Sequence, residues 1–257
     1  MARPTAKSLA RAKSLARKVR AKASGARTAR LDSDLVWFCV PDSQIAETAE
    51  QFTAKSWKGQ FAFHSSGVLS SEALSALRKR AAKVASVHPL MTFIEGSLPD
   101  LNGVTFAIEA DAAAIRLAEN VVRSLKGVPR RIRKHEKAAY HAFATMICPL
   151  LVALLASAEE AARLAGIFAR EARRRMQPIV QQTLENYQAV GPAQAFTGPI
   201  VRGDAETVRR HLEALSKSST ARDTYAALAQ AALDLLPSRR KNELGKLLSR
   251  FSPRSRR

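Results

Sequence analysis

"LVWFCVPDSQI", residues 35–45, holds an unbroken apolar run from Leu35 to Val40 and then breaks at Pro41 and Asp42. Six residues are too few for a stable helix and enough for a strand buried on both faces. Strands of that kind belong to parallel α/β sheets, where ligands sit beyond the carboxyl ends of the strands. Val40, Pro41 and Asp42 fall at that edge. A nucleotide-binding sheet should carry a glycine-rich loop there, yet no Gly-x-Gly-x-x-Gly occurs in the 257 residues.

Outward from this strand the pattern alternates. Strand-like runs recur at 60–65, 83–88, 104–109 and 128–132, with helical stretches at 43–54, 71–82 and 111–126 between them. Short connections between alternating β and α predict a doubly wound, parallel sheet. Asp111 is an N-cap candidate for "AAAIRLAENVVRSL", and Gly127 a C-cap candidate. After Lys134 the strand signals stop, and helices are expected at 136–165, 170–189, 205–216, 221–236 and 239–250. The fold class is therefore α/β then all-α: an incomplete Rossmann-like domain over 1–133 and a helical domain over 134–257.

The net charge of +20 sits at the ends. Residues 1–30 hold ten Lys/Arg and no acid, residues 237–257 hold eight against Glu243, and a net +3 remains between them. That middle value is ordinary for a folded domain, so nucleic-acid binding would belong to the tails. The repeat "AKSLARAKSLAR" at 6–17 predicts an amphipathic helix with Leu9, Leu15 and Val19 on one stripe. It reads as a surface helix, an arm for nucleic acid or anionic membrane, or an Arg-rich targeting segment. The tail "SPRSRR" reads as frayed. Cys39 and Cys148 both lie in apolar runs and read as buried thiols without metal spacing, which suits the cytoplasm. Residues 138–158 carry no charge over 21 positions, a length that would span a membrane. Tyr140, His141, Thr145, Ser157 and Pro149 interrupt them, so a buried central helix is expected, wrapped by other helices or by a second subunit.

Four motifs hold chemistry-bearing residues. "HSSG" at 64–67 ends the second strand, where His64, Ser65 and Ser66 meet the ligand edge and Gly67 frees the turn; the alternative is a helix entry capped by Ser70 or Ser71. In "SVHPLMTF" at 86–93, Pro89 holds His88 extended, as a donor to a ligand oxygen or as a structural histidine. In "KAAYHAFAT", Lys137, His141 and Thr145 are spaced i, i+4, i+8 and share a helix face. That face is either a site, with Lys137 as an acid or an anion grip, or a solvated first turn. In "TGPIVRGDAETVRRHL" at 197–212, Asp204 is an N-cap and Arg202 a carboxylate or phosphate contact, in a loop fit for function or interdomain docking. Arg133 and His135 read as exposed.

Taken in order, "DLVWFCVPD", "HSSG", "SVHPLMTF", "GVTFAIEAD", "KAAYHAFAT", "LVALLASAEE", "TLENY" and "TGPIVRGDAETVRRHL" resemble the bacterial proteins that pair a Rossmann-like domain with domain of unknown function 2520, over residues 30–236. These are similar to pyrroline-carboxylate reductases, ketopantoate reductases and 6-phosphogluconate dehydrogenases, which place an NAD(P)-binding sheet before a helical domain that often dimerises. The resemblance implies an oxidoreductase using NADP or NAD on a small molecule, as a homodimer with no membrane part. Lys137 and His141 match a lysine and an amide residue four positions on that serve the oxygen on the reacting carbon, with His in place of the commoner Asn. It further implies that Val40, Pro41 and Asp42 with His64, Ser65, Ser66 and Gly67 flank the nicotinamide, and that His88 approaches the substrate. Thr145, Thr197, Gly198 and Arg202 are the expected substrate contacts.

The family's opening strand, glycine turn and second strand have no counterpart here; residues 5–23 match the helix that follows them, with Arg3 near an NADP-preferring position. The expectation is a chain truncated at its N-terminus that binds cofactor weakly. The alternative is a non-catalytic helical dimer whose basic termini bind nucleic acid or another anionic partner.

Overall fold

Five strands form one sheet in chain order: β1 Leu35–Phe38, β2 Phe61–His64, β3 Lys83–Pro89, β4 Thr105–Ala110 and β5 Val128–Arg131. This computed structural model describes residues 6–25 and 31–251; Arg3 and the "SPRSRR" tail lie outside them. The chain divides into two units, Met1–Ala144 and Thr145–Arg257.

The first unit holds the sheet with α1 Ala6–Lys18, α2 Asp42–Glu50, α3 Ser75–Arg78, α4 Ala112–Ser124 and most of α5 Lys137–Ile147. Alternation along the strands sorts the core. Phe38, Ala62 and Val84 face Ile45 and Ala49 of α2, with Trp57, Leu74 and Leu77. Their neighbours Phe63 and Ala85, with Val87, Phe106 and Ile108, face Ala114, Ala118 and Val122 of α4. The α4 residues recur every fourth position, which puts them on one helix stripe. Pro129 is tolerated because β5 is an edge strand, paired only with β4.

Three expectations for this unit change. The sheet is mostly parallel, but β3 and β4 run antiparallel, from Ala85 opposite Ala110 to Pro89 opposite Phe106. No helix forms between them, so the chain lacks the crossover a parallel return requires. The β1 strand is half-buried rather than enclosed, because β2 is its single partner among the described residues. Cys39, just past that edge strand, is exposed, and Cys148 is half-buried, so neither is the buried thiol expected.

The second unit comprises α6 Pro149–Leu164, α7 Ala169–Ala195, α8 Pro199–Arg202, α9 Ala205–Ala214, α10 Ser219–Leu235 and α11 Lys241–Ser249. Its core joins Val208 and Leu212 of α9, Ala226, Ala229 and Leu233 of α10, and Leu244 and Leu248 of α11. Arg173 of α7 makes a two-pronged pair with Glu159 of α6. The central uncharged stretch is broken at Cys148, where Pro149 opens α6. It is not buried within this chain: Met146, Leu150 and Val152 are exposed, as are Ile179, Leu184, Tyr187 and Val190 of α7. Lys134–Leu164 is long and apolar enough to cross a membrane by length and composition.

Candidate functional site

The carboxyl ends of β1 and β2 lie side by side in parallel register with β3, Phe38 beside His64 and His64 beside Ser86, and β3 continues to Pro89. The turns after β1 and β2 carry polar side chains, and hydrogen bonds lock them together. Trp37 Nε1 donates to Ser65 Oγ at 2.9 Å. Ser66 Oγ donates to Asp42 Oδ2 at 2.6 Å, tying the Val40–Asp42 turn to the one after β2.

His64 is fully buried. Its Nδ1 accepts from Ser66 N at 3.1 Å, so its proton sits on Nε2, which donates to Ser70 O at 3.1 Å. Burial holds its pKa below the ordinary value, against the Ser70 bond. A neutral imidazole with both nitrogens on backbone is a brace for the 65–70 loop. Ser70 also caps the turn that follows, accepting from Glu72 N. Val40 packs on the first core cluster, and Pro41 O accepts from Gln44 N as α2 begins.

Lys137, the first residue of α5, is 1% exposed. Its ammonium donates to Ser86 Oγ at 2.7 Å and to Ser66 O at 3.2 Å. Ser86 Oγ in turn donates to Ser66 O at 3.1 Å. Burial brings the Lys137 pKa down to about 8, with Glu109 and Asp42 pulling the other way. Glu109 is itself held by Ser71, which donates through N at 2.5 Å and Oγ at 3.0 Å.

His88 and His141 stand edge to face, ring centroids 5.7 Å apart. Gly67 lies under both: a Cβ there would come within 2.3 Å of His141 Cδ2 and 2.8 Å of His88 Nε2. The turn therefore needs glycine for close approach rather than for an unusual φ. Burial, then the Lys137 charge and His141, bring the His88 pKa down to about 4, so the ring is neutral at physiological pH.

The structure thus gathers Lys137, His141, His88, His64, Ser65, Ser66, Gly67 and Asp42 around one sheet edge. Ser86 and Tyr140 join them without having been singled out in the sequence. The signal for Ser86 was its i, i+2 spacing from His88, which puts both on one face of β3. Thr145, Thr197, Gly198 and Arg202 belong to the second unit, where Thr145 is half-buried and Thr197 and Arg202 are exposed. The loop holding Thr197, Gly198 and Arg202 is tied to the turn between α10 and α11. Ser238 Oγ donates to Ile200 O at 2.6 Å and Arg239 N to Val201 O at 3.1 Å. Gly203, at φ 72°, leaves no room for a Cβ, which would stand 2.6 Å from Arg239 O. Asp204 caps α9 through Thr207 N and Oγ1.

Among solved structures, the chain is similar to a protein from Thermotoga maritima: 23% identity, TM-score 0.68, covering 98% of this chain and 90% of that one. A Bacteroides fragilis protein described provisionally as an NADP oxidoreductase matches at 20% identity and TM-score 0.73, covering 88% and 85%. A reductive aminase from Aspergillus terreus, solved with NADPH and ethyl-5-oxohexanoate, matches at 14% identity and TM-score 0.62, covering 93% and 88%. These likenesses show the fold, a Rossmann-type sheet followed by helices. The comparison with curated proteins finds no match. The family model for domain of unknown function DUF2520 matches residues 104–232, from the β4 strand through α10, which is half of the chain. On that match, the chain belongs to the DUF2520 family.

Proposed function

We propose that the chain is an NADP-dependent oxidoreductase acting on a small molecule, with its site at the carboxyl edge of β1, β2 and β3. One observation carries the reading: Lys137, His88 and His141 converge on the Ser66–Gly67 turn at the edge where parallel sheets bind ligands. The relatives described with NADP or NADPH support the choice of cofactor.

The chain's residues fit one end of such a cofactor. The Val40–Asp42 and His64–Gly67 turns are braced by Trp37, Asp42 and His64, which suits them to flank a flat nicotinamide ring. The phosphate end is different, because the sequence holds no glycine-rich turn to present backbone amides to a pyrophosphate. These 257 residues by themselves would then hold the cofactor mainly by its nicotinamide side, with a Kd of about 1 mM or above. A bound cofactor would supply the hydride.

The chain supplies the rest. Lys137, with a pKa of about 8, is mostly protonated at neutral pH yet gives up its proton without a large penalty. Ser86 and Ser66 O fix the direction of its amine. His88 and His141 orient the substrate. A second copy of the chain is the proposed partner, docking on the apolar residues that α6 and α7 leave exposed.

The test is hydride transfer from deuterated NADPH to a panel of carbonyl and imine compounds, read as deuterium in the product. Lys137→Met, which keeps the side-chain length, should lower transfer by about 100-fold or more. Transfer within about twofold of wild type would remove Lys137 from the chemistry.

A further inference from the structure

Among the described residues, two buried polar atoms of the first unit have no hydrogen-bond partner: His88 Nδ1 and Tyr140 Oη. Nearly all buried polar atoms in folded proteins are satisfied, so a neighbouring pair of orphans points to a group that both are built to hold. The two rings meet edge to face with centroids 6.3 Å apart. His141 also stands edge to face with His88, and the Gly67 backbone lies against both imidazoles.

The protons can be placed. Burial raises the Tyr140 pKa, so its hydroxyl stays protonated and can donate. The neutral His88 ring carries one proton. Its Nε2 lies beside Gly67, 2.8 Å from where a Cβ would stand. With that proton on Nδ1, both orphans are donors.

We propose that Tyr140 Oη–H and His88 Nδ1–H form a two-donor pocket for the oxygen of an uncharged ketone or aldehyde. The inference rests on the oxidoreductase reading and narrows its substrate class. A carbonyl oxygen has two lone pairs and accepts from both donors. It also gains negative charge as hydride reaches its carbon, where fixed donors stabilise it most. An iminium ion offers an N–H or no lone pair, so it meets two donors with nothing to accept. The positive charge of Lys137, close enough to act on His88, repels it further.

The experiment uses the full chain, 15N-labelled at histidine, with the His88 signals assigned by their loss in His88→Asn. Cyclopentanone is titrated without cofactor, and 1-methyl-1-pyrrolinium serves as the cationic comparison. NADPH binding is measured on the same sample by fluorescence. The proposal expects a protonated Nδ1 in the free protein, shifted by the ketone and not by the iminium. Tyr140→Phe should weaken ketone binding by about tenfold. It should leave the unfolding midpoint unchanged or higher, since it deletes a hydroxyl that bonds nothing in the free protein. An unprotonated Nδ1, a ketone response that survives Tyr140→Phe, a stronger response to the iminium, or no response to the ketone would each overturn it. NADPH binding without a ketone response overturns this pocket alone. A ketone response without NADPH binding keeps the pocket and removes the oxidoreductase reading.

Discussion

At the scale of single residues, Lys137 sets the terms. An ammonium at 1% exposure, bonded to a hydroxyl and a carbonyl rather than a carboxylate, is held at an energetic cost. The sign of its pH effect follows. Below pH 8 the amine is protonated in both folded and unfolded chains, and the cost is felt in full. Between about 8 and the ordinary 10.5 the unfolded chain keeps a proton that the folded chain has lost, so the contribution to stability rises with pH. Wild type should therefore gain on Lys137→Met across that window in urea midpoints, and a gap that stays constant would contradict the burial argument. The helical spacing of Lys137 and His141 was legible in the sequence. Ser86 was legible only as sharing a strand face with His88; its bond to Lys137 depends on α5 reaching β3. The need for Gly67 was not legible, since it depends on two rings brought in from β3 and α5.

At the scale of elements, local signals read well and long-range ones did not. All five strands and the long helices lie within a few residues of where periodicity puts them, because each carries its own apolar pattern. The antiparallel return of β4 was hidden, since the 90–104 segment has no helical pattern and direction depends on what fills the connection. The glycine–proline loop at 197–204 looked functional by composition. Much of that composition is explained by its knot with Ser238 and Arg239, some 38 positions away. The stretch over α5 and α6 was expected to be wrapped by other helices or by a second subunit; within this chain its Met146, Leu150 and Val152 are exposed. Residues 181–190 of α7 are exposed throughout, with Leu184, Tyr187 and Val190 spaced to share a stripe. If a second copy covers that stripe, light scattering should give twice the 28.0 kDa chain mass. Leu184→Glu with Tyr187→Glu should then return the protein to a monomer, by placing charge in a dry interface. A monomeric wild type would rule this dimer out.

For the whole molecule, the basic ends and the near-neutral middle do different work. The net charge of +20 is the first thing the composition offers and bears little on the site, where one buried amine sits among hydroxyls, imidazoles and the Asp42 and Glu109 carboxylates. The sheet explains why the site lies where it does: β1 and β2 end in polar turns beside Ser86, while β3 runs on to place His88. The central claim is that a nicotinamide ring lies against those turns. The most direct measurement is an NMR titration with NADPH, following the Gly67 amide and the His88 and His141 rings. Saturable shifts at these three positions, at millimolar NADPH, are the expected result. No change there, or saturable changes confined to the helical unit, would contradict the account.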